Sequence, residues 1–316
     1  MTSDTCNITN QDEEMNADMV SQRMQEFSER IRANRAANLN GNDVVASRAS
    51  MEAEMAKLRQ PADVQHEDVT VGGRPARWFR SPDSQPDRVM LYLHGGAYVR
   101  GSINTHAELM ARLSQTLRIP VLGLDYRLAP EHPYPAALDD AVASYRWLLE
   151  TGLKPQRIVV GGDSAGGGLA LATLQALKEA SLPQPAGAVL FSPWTDLSGS
   201  GDSVKTRAKA DPMVDPDSLT VMAAHYLDGM PADTPGASPL FGNLSGLAPL
   251  LIQVGDAEVL LDDATRLYQR AQAAGVDTSL RIFDGGFHVF QAIPALPEAA
   301  EALADVAEFC QRVTDA

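Results

Sequence analysis

The sequence has few of the features that identify disulfide-rich or metal-binding proteins. Only two cysteines occur in 316 residues. They are Cys6 and Cys310, near opposite ends of the chain, and neither belongs to a CxxC pair or a Cys/His cluster. A disulfide framework or a structural zinc site is therefore not expected.

Long apolar runs and basic residues are also scarce. No apolar stretch approaches the roughly 18 residues typical of a membrane-spanning helix. Residues 1–20 carry acidic side chains where a secretory signal has a basic region followed by an apolar one, so we expect a cytoplasmic protein. The 26 Lys and Arg residues are outnumbered by 41 Asp and Glu, for a net charge of −15. Such a field repels polyanions, and neither nucleic acid nor a membrane is expected as a partner.

The apolar residues that are present form a regular pattern. At 44% hydrophobic, the chain can bury the core of one large α/β domain with an accessory piece, or of two smaller domains. Short apolar runs bounded by turn residues predict strands at 69–71, 76–79, 89–93, 121–124, 158–160, 188–191, 250–254 and 280–283. Helical segments are predicted at 105–117, 136–150, 165–180, 259–274 and 298–313. This alternation favours βαβ units and a mostly parallel sheet.

Two regions depart from the alternation. Before the sheet, apolar residues recur at helical spacing and predict two amphipathic helices: Val20, Met24, Phe27 and Ile31 in the first, and Val44, Met51, Met55 and Leu58 in the second. The interval 195–249 is rich in Asp, Pro, Gly and Ser, with one predicted helix near 216–228. We interpret it as an insertion over the carboxyl ends of the strands, where open α/β sheets bind ligands.

One polar residue lies at a tight predicted turn between a strand and a helix. Gly162 to Gly166 spell GDSAG, which matches G-x-S-x-G in the strand-to-helix context that this motif requires. A serine on such a turn is strained, and glycine two residues before and after it avoids a collision between strand and helix. The helix also directs its N-terminal N–H groups towards the site where negative charge would develop. A glycine-rich structural turn is the alternative, and the pentad alone does not decide.

Two further segments follow predicted strands. In YLHGGAY (92–98), Gly95 and Gly96 can turn their N–H groups towards a substrate and, with the N–H of Ala165, would form an oxyanion hole. In FDGGFHVF (283–290), His288 follows the last predicted strand. Each segment alone is compatible with an ordinary turn or a structural histidine. The first segment precedes the serine motif and His288 follows it, so the chain order serine, acid, histidine is the order that a catalytic triad has in this type of fold.

Additional segments complete a family pattern over most of residues 90–290. They are DYRLAPEHPYPAALDD (125–140), SPWTDLS (192–198), DPMV (211–214) and ASPLF (237–241). With HGGA and GDSAGG, these segments resemble those of the bacterial hormone-sensitive-lipase-like esterases, family IV of the α/β-hydrolases. The resemblance implies an α/β-hydrolase fold, with a mostly parallel central sheet flanked by helices and a helical cap. It implies cap helices in residues 1–45, a catalytic domain in 46–316, and a cap insertion at about 195–235.

The chain departs from the family pattern at Ala97, where HGGG is usual. The first two glycine N–H groups are kept, so an oxyanion hole of Gly95, Gly96 and Ala165 is still expected. His94 is a candidate for bracing this loop. The remaining histidines are expected to be structural.

The acid of the triad is less sharply defined. In the family it commonly opens a D-x-L-x-D-[DE] string, and here EVLLDD occupies that frame and puts Glu258 in the place of the acid. Asp256 is close enough to compete, although it could instead cap the turn after the strand. We prefer Glu258, with Asp256 as the alternative.

The resemblance implies a serine carboxylesterase that hydrolyses short-chain acyl esters through an acyl-serine intermediate. Ser164 would be the nucleophile, His288 the base and Glu258 the acid, and no metal or organic cofactor is needed. A lactone hydrolase with the same triad is the main alternative. A ligand-binding receptor of the same fold is a distant one, because such receptors have lost the catalytic histidine. The natural ester and the oligomeric state, including a homodimer, are left open by the sequence.

Overall fold

A computed structural model of the protein describes residues 22–33 and 43–315. Its strands, numbered in chain order, are β1 (Gln65–Val71), β2 (Arg74–Arg80), β3 (Val89–Leu93), β4 (Val121–Leu124), β5 (Ile158–Asp163), β6 (Gly187–Phe191), β7 (Leu250–Gly255) and β8 (Thr278–Phe283). Residues 22–33 are helical and are called α1. The α-helices after it are α2 (Val44–Met55), α3 (Ala107–Leu117), α4 (Ala136–Glu150), α5 (Ala165–Glu179), α6 (Ser203–Thr206), α7 (Pro216–Leu227), α8 (Leu261–Ala273) and α9 (Pro297–Thr314).

All eight strands belong to one sheet, in the order β1-β2-β4-β3-β5-β6-β7-β8. β2 is antiparallel to both of its neighbours, and the other neighbouring pairs are parallel. Helices α4, α5 and α8 pack on one face, and α3 and α9 pack on the other. Because both faces are covered, every residue of β3 to β7 is buried. The mostly parallel sheet flanked by helices that the sequence predicts is confirmed.

The strand order reverses between β3 and β5. After β3 the chain continues outward to β4 and then crosses back, so that β5 pairs with the other side of β3, with Leu93 opposite Gly162. The residues that follow these two strands therefore lie side by side at the carboxyl edge of the sheet. A crevice at such a point is where open α/β sheets bind ligands.

The two N-terminal helices attach to the sheet in different ways. Met24 of α1 is buried in an apolar cluster that includes Phe287 and Phe290, whereas α2 contains no fully buried residue. The domain boundary expected at residue 45 falls inside α2, which begins at Val44. Val20 of the first predicted stripe and Cys6 lie outside the described residues. The helix expected in the insertion is present as α7.

Candidate active site

Ser164 is held in a strained conformation at the turn between β5 and α5. Its φ of 53° and ψ of −122° are unfavourable for a residue with a side chain. A Cβ atom at Gly162 would lie 2.4 Å from the Gly166 carbonyl oxygen, and one at Gly166 would lie 2.0 Å from the Leu93 carbonyl oxygen. Glycine at both positions therefore lets strand and helix meet around the serine, as the motif predicts.

His288 and Glu258 form a buried pair at the ends of β8 and β7. His288 Nδ1 is 2.8 Å from Glu258 Oε2, and the glutamate side chain has no solvent exposure. The other carboxylate oxygen accepts hydrogen bonds from Ser192 Oγ at 2.7 Å and from the Gly255 N–H at 2.6 Å. With Nδ1 donating to the carboxylate, Nε2 of the imidazole is left as the proton acceptor.

Ser192 joins this pair to the end of β6. Its hydroxyl donates to Glu258 and accepts from the Val289 N–H at 3.1 Å, next to His288. One hydroxyl thus fixes both the acid and the loop that carries the histidine. Sequence analysis did not single out Ser192, although it opens the SPWTDLS segment.

Asp256 has a different environment. It is half-buried, and its Oδ1 accepts from the Gly285 N–H at 2.8 Å, in the turn after β8. Of the two candidate acids, Glu258 contacts His288, whereas Asp256 binds the backbone of the turn after β8.

The electrostatics of His288 are dominated by burial and by Glu258. Burial lowers the pKa of the imidazole, but the hydrogen bond to Glu258 and its negative charge raise the pKa more, so that it lies above its ordinary value. The charges of Asp211 and Asp163 act in the same direction. The site therefore stabilises an imidazolium, which a base must become when it takes a proton from a hydroxyl.

In the loop after β3, one of the expected oxyanion donors, Gly95, has another hydrogen-bond partner. The Gly95 N–H donates to Asp163 Oδ1 at 3.1 Å, so it is not free to bind an oxyanion. Glycine is needed at position 95 because a Cβ atom there would lie 2.1 Å from the other oxygen of this carboxylate. The sequence could not show this contact, because it arises only where β3 and β5 lie side by side.

The next two residues of this loop, unlike Gly95, have a left-handed backbone. Gly96 and Ala97 have positive φ values of 121° and 57°. Within the described part of the chain, their N–H groups have no protein acceptor. The N–H of Ala165, at the first position of α5, has none within its helix. The N–H groups of the expected donors Gly96 and Ala165, and also that of Ala97, are thus available to bind an oxyanion.

His94 supports the same loop. Its Nδ1 is 2.8 Å from the Gly95 carbonyl oxygen, its ring stacks on Tyr126 at 4.2 Å, and the Tyr126 hydroxyl donates to its carbonyl oxygen at 2.7 Å. Burial and the neighbouring His106 lower the pKa of His94 to about 3. His94 is therefore a neutral imidazole that donates from Nδ1.

Within residues 22–33 and 43–315, no group of three or more His, Cys, Asp or Glu side chains is arranged to hold a metal ion. None of the described helices combines the length and the apolar character that a membrane crossing requires.

Comparison with known proteins gives consistent matches. A family model described as an alpha/beta hydrolase fold (Abhydrolase_3) matches residues 90–292. An acetyl-hydrolase from Streptomyces hygroscopicus is 47% identical over 255 residues, which cover 80% of this chain and 84% of the relative. The crystal structure of an esterase from the bacterial hormone-sensitive lipase family is 44% identical, covers 92% of this chain and 98% of that one, and superimposes with a TM-score of 0.89.

A further similar enzyme, EstE5, has been crystallised in two relevant states. In the structure of a crystal soaked with p-nitrophenyl butyrate, the EstE5 chain is 46% identical in sequence to this chain. The match covers 93% of this chain and 99% of that one, with a TM-score of 0.89. The structure with PMSF is 48% identical over 87% of this chain and 92% of that one, with a TM-score of 0.83.

Proposed function

This chain belongs to the bacterial hormone-sensitive-lipase family of α/β-hydrolases and is a carboxylic ester hydrolase, and we propose that it cleaves short-chain acyl esters with Ser164, His288 and Glu258. The observation that carries the proposal is the buried contact of 2.8 Å between Glu258 and His288 at the sheet edge where Ser164 turns out of β5. PMSF modifies catalytic serines, and its presence in a structure of the similar EstE5 supports the same chemistry here.

The reaction proceeds in two steps. The Ser164 hydroxyl attacks the ester carbonyl carbon while Nε2 of His288 takes its proton, and the imidazolium then gives this proton to the departing alkoxide. An acyl-serine remains. A water molecule, deprotonated by the same nitrogen, attacks the acyl carbon, and the carboxylic acid leaves as Ser164 regains a proton. Glu258 orients the imidazole and stabilises its charged form in both steps.

We assign the oxyanion hole to the N–H groups of Gly96, Ala97 and Ala165. Gly95, which the sequence favours, is replaced in this set by Ala97 because the Gly95 N–H already donates to Asp163. The left-handed backbone at Ala97 turns the loop at this point. Such donors act on the charge that develops on the carbonyl oxygen as it becomes tetrahedral.

The substrate class follows from the relatives and from the elements around the site. The similar Streptomyces enzyme is an acetyl-hydrolase, and EstE5 was soaked with p-nitrophenyl butyrate, so both support short acyl groups. We propose that α1, α2 and the 195–235 insertion form the cap that bounds the acyl pocket. The net charge of −15 favours a small neutral ester over a polyanion.

Substitution of Ser164 and His288 tests the triad. We expect Ser164→Ala and His288→Ala each to lower kcat for p-nitrophenyl butyrate by several orders of magnitude, and the double variant to be little worse, because the residues act as a unit. Steady-state kinetics and circular dichroism of the purified variants give the measurement. A folded single variant within about tenfold of wild type would overturn the assignment.

A further inference from the structure

A third buried histidine, His106, contacts the residue that precedes the catalytic serine and lies outside the triad. His106 Nε2 is 3.3 Å from Asp163 Oδ2, and the two residues are 5% and 2% exposed. Asp163 immediately precedes Ser164. Its other oxygen accepts from the Tyr92 hydroxyl at 2.8 Å and from the Gly95 N–H at 3.1 Å. One carboxylate therefore links the serine turn, the oxyanion loop and the start of α3.

Both ring nitrogens of His106 have oxygen partners, an arrangement that accommodates a proton on each. The Thr105 hydroxyl donates its only proton to the Ser102 carbonyl oxygen at 2.9 Å. With its proton directed there, it can accept from His106 Nδ1, which lies 2.8 Å away. Nε2 faces the Asp163 carboxylate, which also accepts. The geometry is that of an imidazolium paired with a carboxylate.

The electrostatics agree with this assignment. Burial lowers the pKa of His106, but the charge of Asp163 and the hydrogen bond to it raise the pKa more. Burial raises the pKa of Asp163, and His106 and Tyr92 lower it more, so the carboxyl stays ionised. The other titratable groups that act on His106 or lie beside it are Glu52 on α2 and the neutral ring of His94, 5.5 Å away.

We propose that the His106 imidazolium is a positioning residue for ester hydrolysis, acting by keeping Asp163 ionised and fixed between Gly95 and Ser164. This inference rests on the proposed function of Ser164. A buried carboxylate without its cation is unstable, and it becomes protonated or draws in water. Either change weakens the bond to the Gly95 N–H, and the loop that carries Gly96 and Ala97 is released. Oxyanion donors lose their effect when they move from hydrogen-bonding distance.

The test compares two variants with wild type: His106→Gln and the double variant His106→Gln/Asp163→Asn. For His106→Gln we expect kcat for p-nitrophenyl butyrate to fall about 100-fold, the effect of losing an oxyanion donor, with KM nearly unchanged. In the double variant the unpaired charge is gone, and an amide oxygen can still accept from Gly95. We therefore expect its kcat to recover at least about tenfold over the His106 single variant. His132→Gln, at an exposed histidine, is the matched control and should keep wild-type kinetics.

The pH profile separates positioning from a merely structural role. Wild-type kcat should fall at alkaline pH as His106 loses its proton, above the ordinary range of histidine, and the double variant should lack this fall. Because the double variant buries no unpaired charge, we expect it to fold even if His106→Gln does not. Its pH profile can then be compared with that of wild type. A single variant with wild-type kcat, equal losses in the single and double variants, or an unchanged alkaline limb in the double variant would overturn the proposal. Ser164→Ala, assayed in parallel, tests the triad separately, so a failure of either hypothesis can be identified.

Discussion

At the scale of single residues, the proposed base, His288, is held by a fully buried carboxylate, that of Glu258. Glu258 has no exposed surface, and the Ser192 hydroxyl, the Gly255 N–H and the His288 ring all donate to it. These donors fix the orientation of the carboxylate, and this orientation favours the His288 tautomer with Nε2 free. Asp256, only two residues earlier, stabilises a turn instead.

The two acids should therefore respond differently to amide substitution. We expect Glu258→Gln to lower kcat by about 10⁴, as loss of the orienting carboxylate does in serine triads, because the amide no longer stabilises the imidazolium. Asp256→Asn should cost much less and act mainly on stability. Steady-state kinetics of both variants with p-nitrophenyl butyrate make the comparison, and the reverse ranking would transfer the role to Asp256.

The pH profile of the same variant gives an independent readout. The pKa of His288 is raised above its ordinary value by Glu258, and the base must be neutral to act. Activity is thus lost as pH falls through this raised pKa. In Glu258→Gln the charge that raises the pKa is gone, so the acid limb of kcat/KM should move to lower pH. An acid limb that stays in place would show that Glu258 does not set the titration of the base.

The residues of the site differ in how far the sequence predicts them. Ser164 and His288 follow strands in motifs whose spacing is local, and Glu258 follows from the EVLLDD frame. Gly95, in contrast, has a partner that the sequence does not predict. Its N–H meets Asp163 through pairing of β3 with β5, and Ser192 meets Glu258 through pairing of β6 with β7. Contacts across neighbouring strands depend on strand order, which the sequence does not state.

At the scale of elements, the N-terminal helices contact the two sides of the site. Met24 of α1 packs with Phe287 and Phe290, the apolar residues that flank His288. Arg48 of α2 reaches the other side and donates to the Val99 carbonyl oxygen at 2.7 Å, just beyond the oxyanion loop. The apolar stripe predicted for α2 stays half-buried, since α2 attaches through polar bonds that periodicity does not predict.

Removal of the first helix should affect catalysis. We expect deletion of residues 1–35 to leave the sheet in place, but to lower kcat/KM at least about tenfold or to cause aggregation, because the apolar cluster around Met24 would be opened to water. Size-exclusion chromatography and kinetics over a series of acyl lengths provide the measurement. Gln25→Ala, at an exposed position of α1, is the control and should keep wild-type kinetics. A monodisperse truncated protein with unchanged kinetics would show that α1 is not part of the cap.

At the scale of the whole molecule, the sequence predicts the architecture well. The strands were predictable because their apolar runs are short and regularly separated by helices. The α/β-hydrolase fold and the family are confirmed by the matching family model and by the similar structures. Substrate choice is less predictable, since under our proposal it depends on a pocket bounded by α1, α2 and the insertion together.

The size of the proposed acyl pocket should determine which acyl-chain lengths the enzyme prefers. We expect p-nitrophenyl esters with about two to six acyl carbons to be cleaved with higher kcat/KM than the sixteen-carbon ester, because a capped site desolvates and fits only a short chain. Lactones belong in the same series. Equal activity on butyrate and on the sixteen-carbon ester would contradict a short acyl pocket, and much faster turnover of a lactone would favour cyclic esters as the substrate.

Whether Ser164 is the nucleophile can be tested most directly by mass spectrometry of enzyme treated with PMSF. Wild type should lose activity in step with the gain of one phenylmethylsulfonyl group, and peptide mapping should locate this group on Ser164. Ser164→Ala should remain unlabelled, and Glu258→Gln should be labelled much more slowly because its base is poorly oriented. Labelling of another residue with loss of activity, or full activity in a protein labelled at Ser164, would contradict the proposed mechanism.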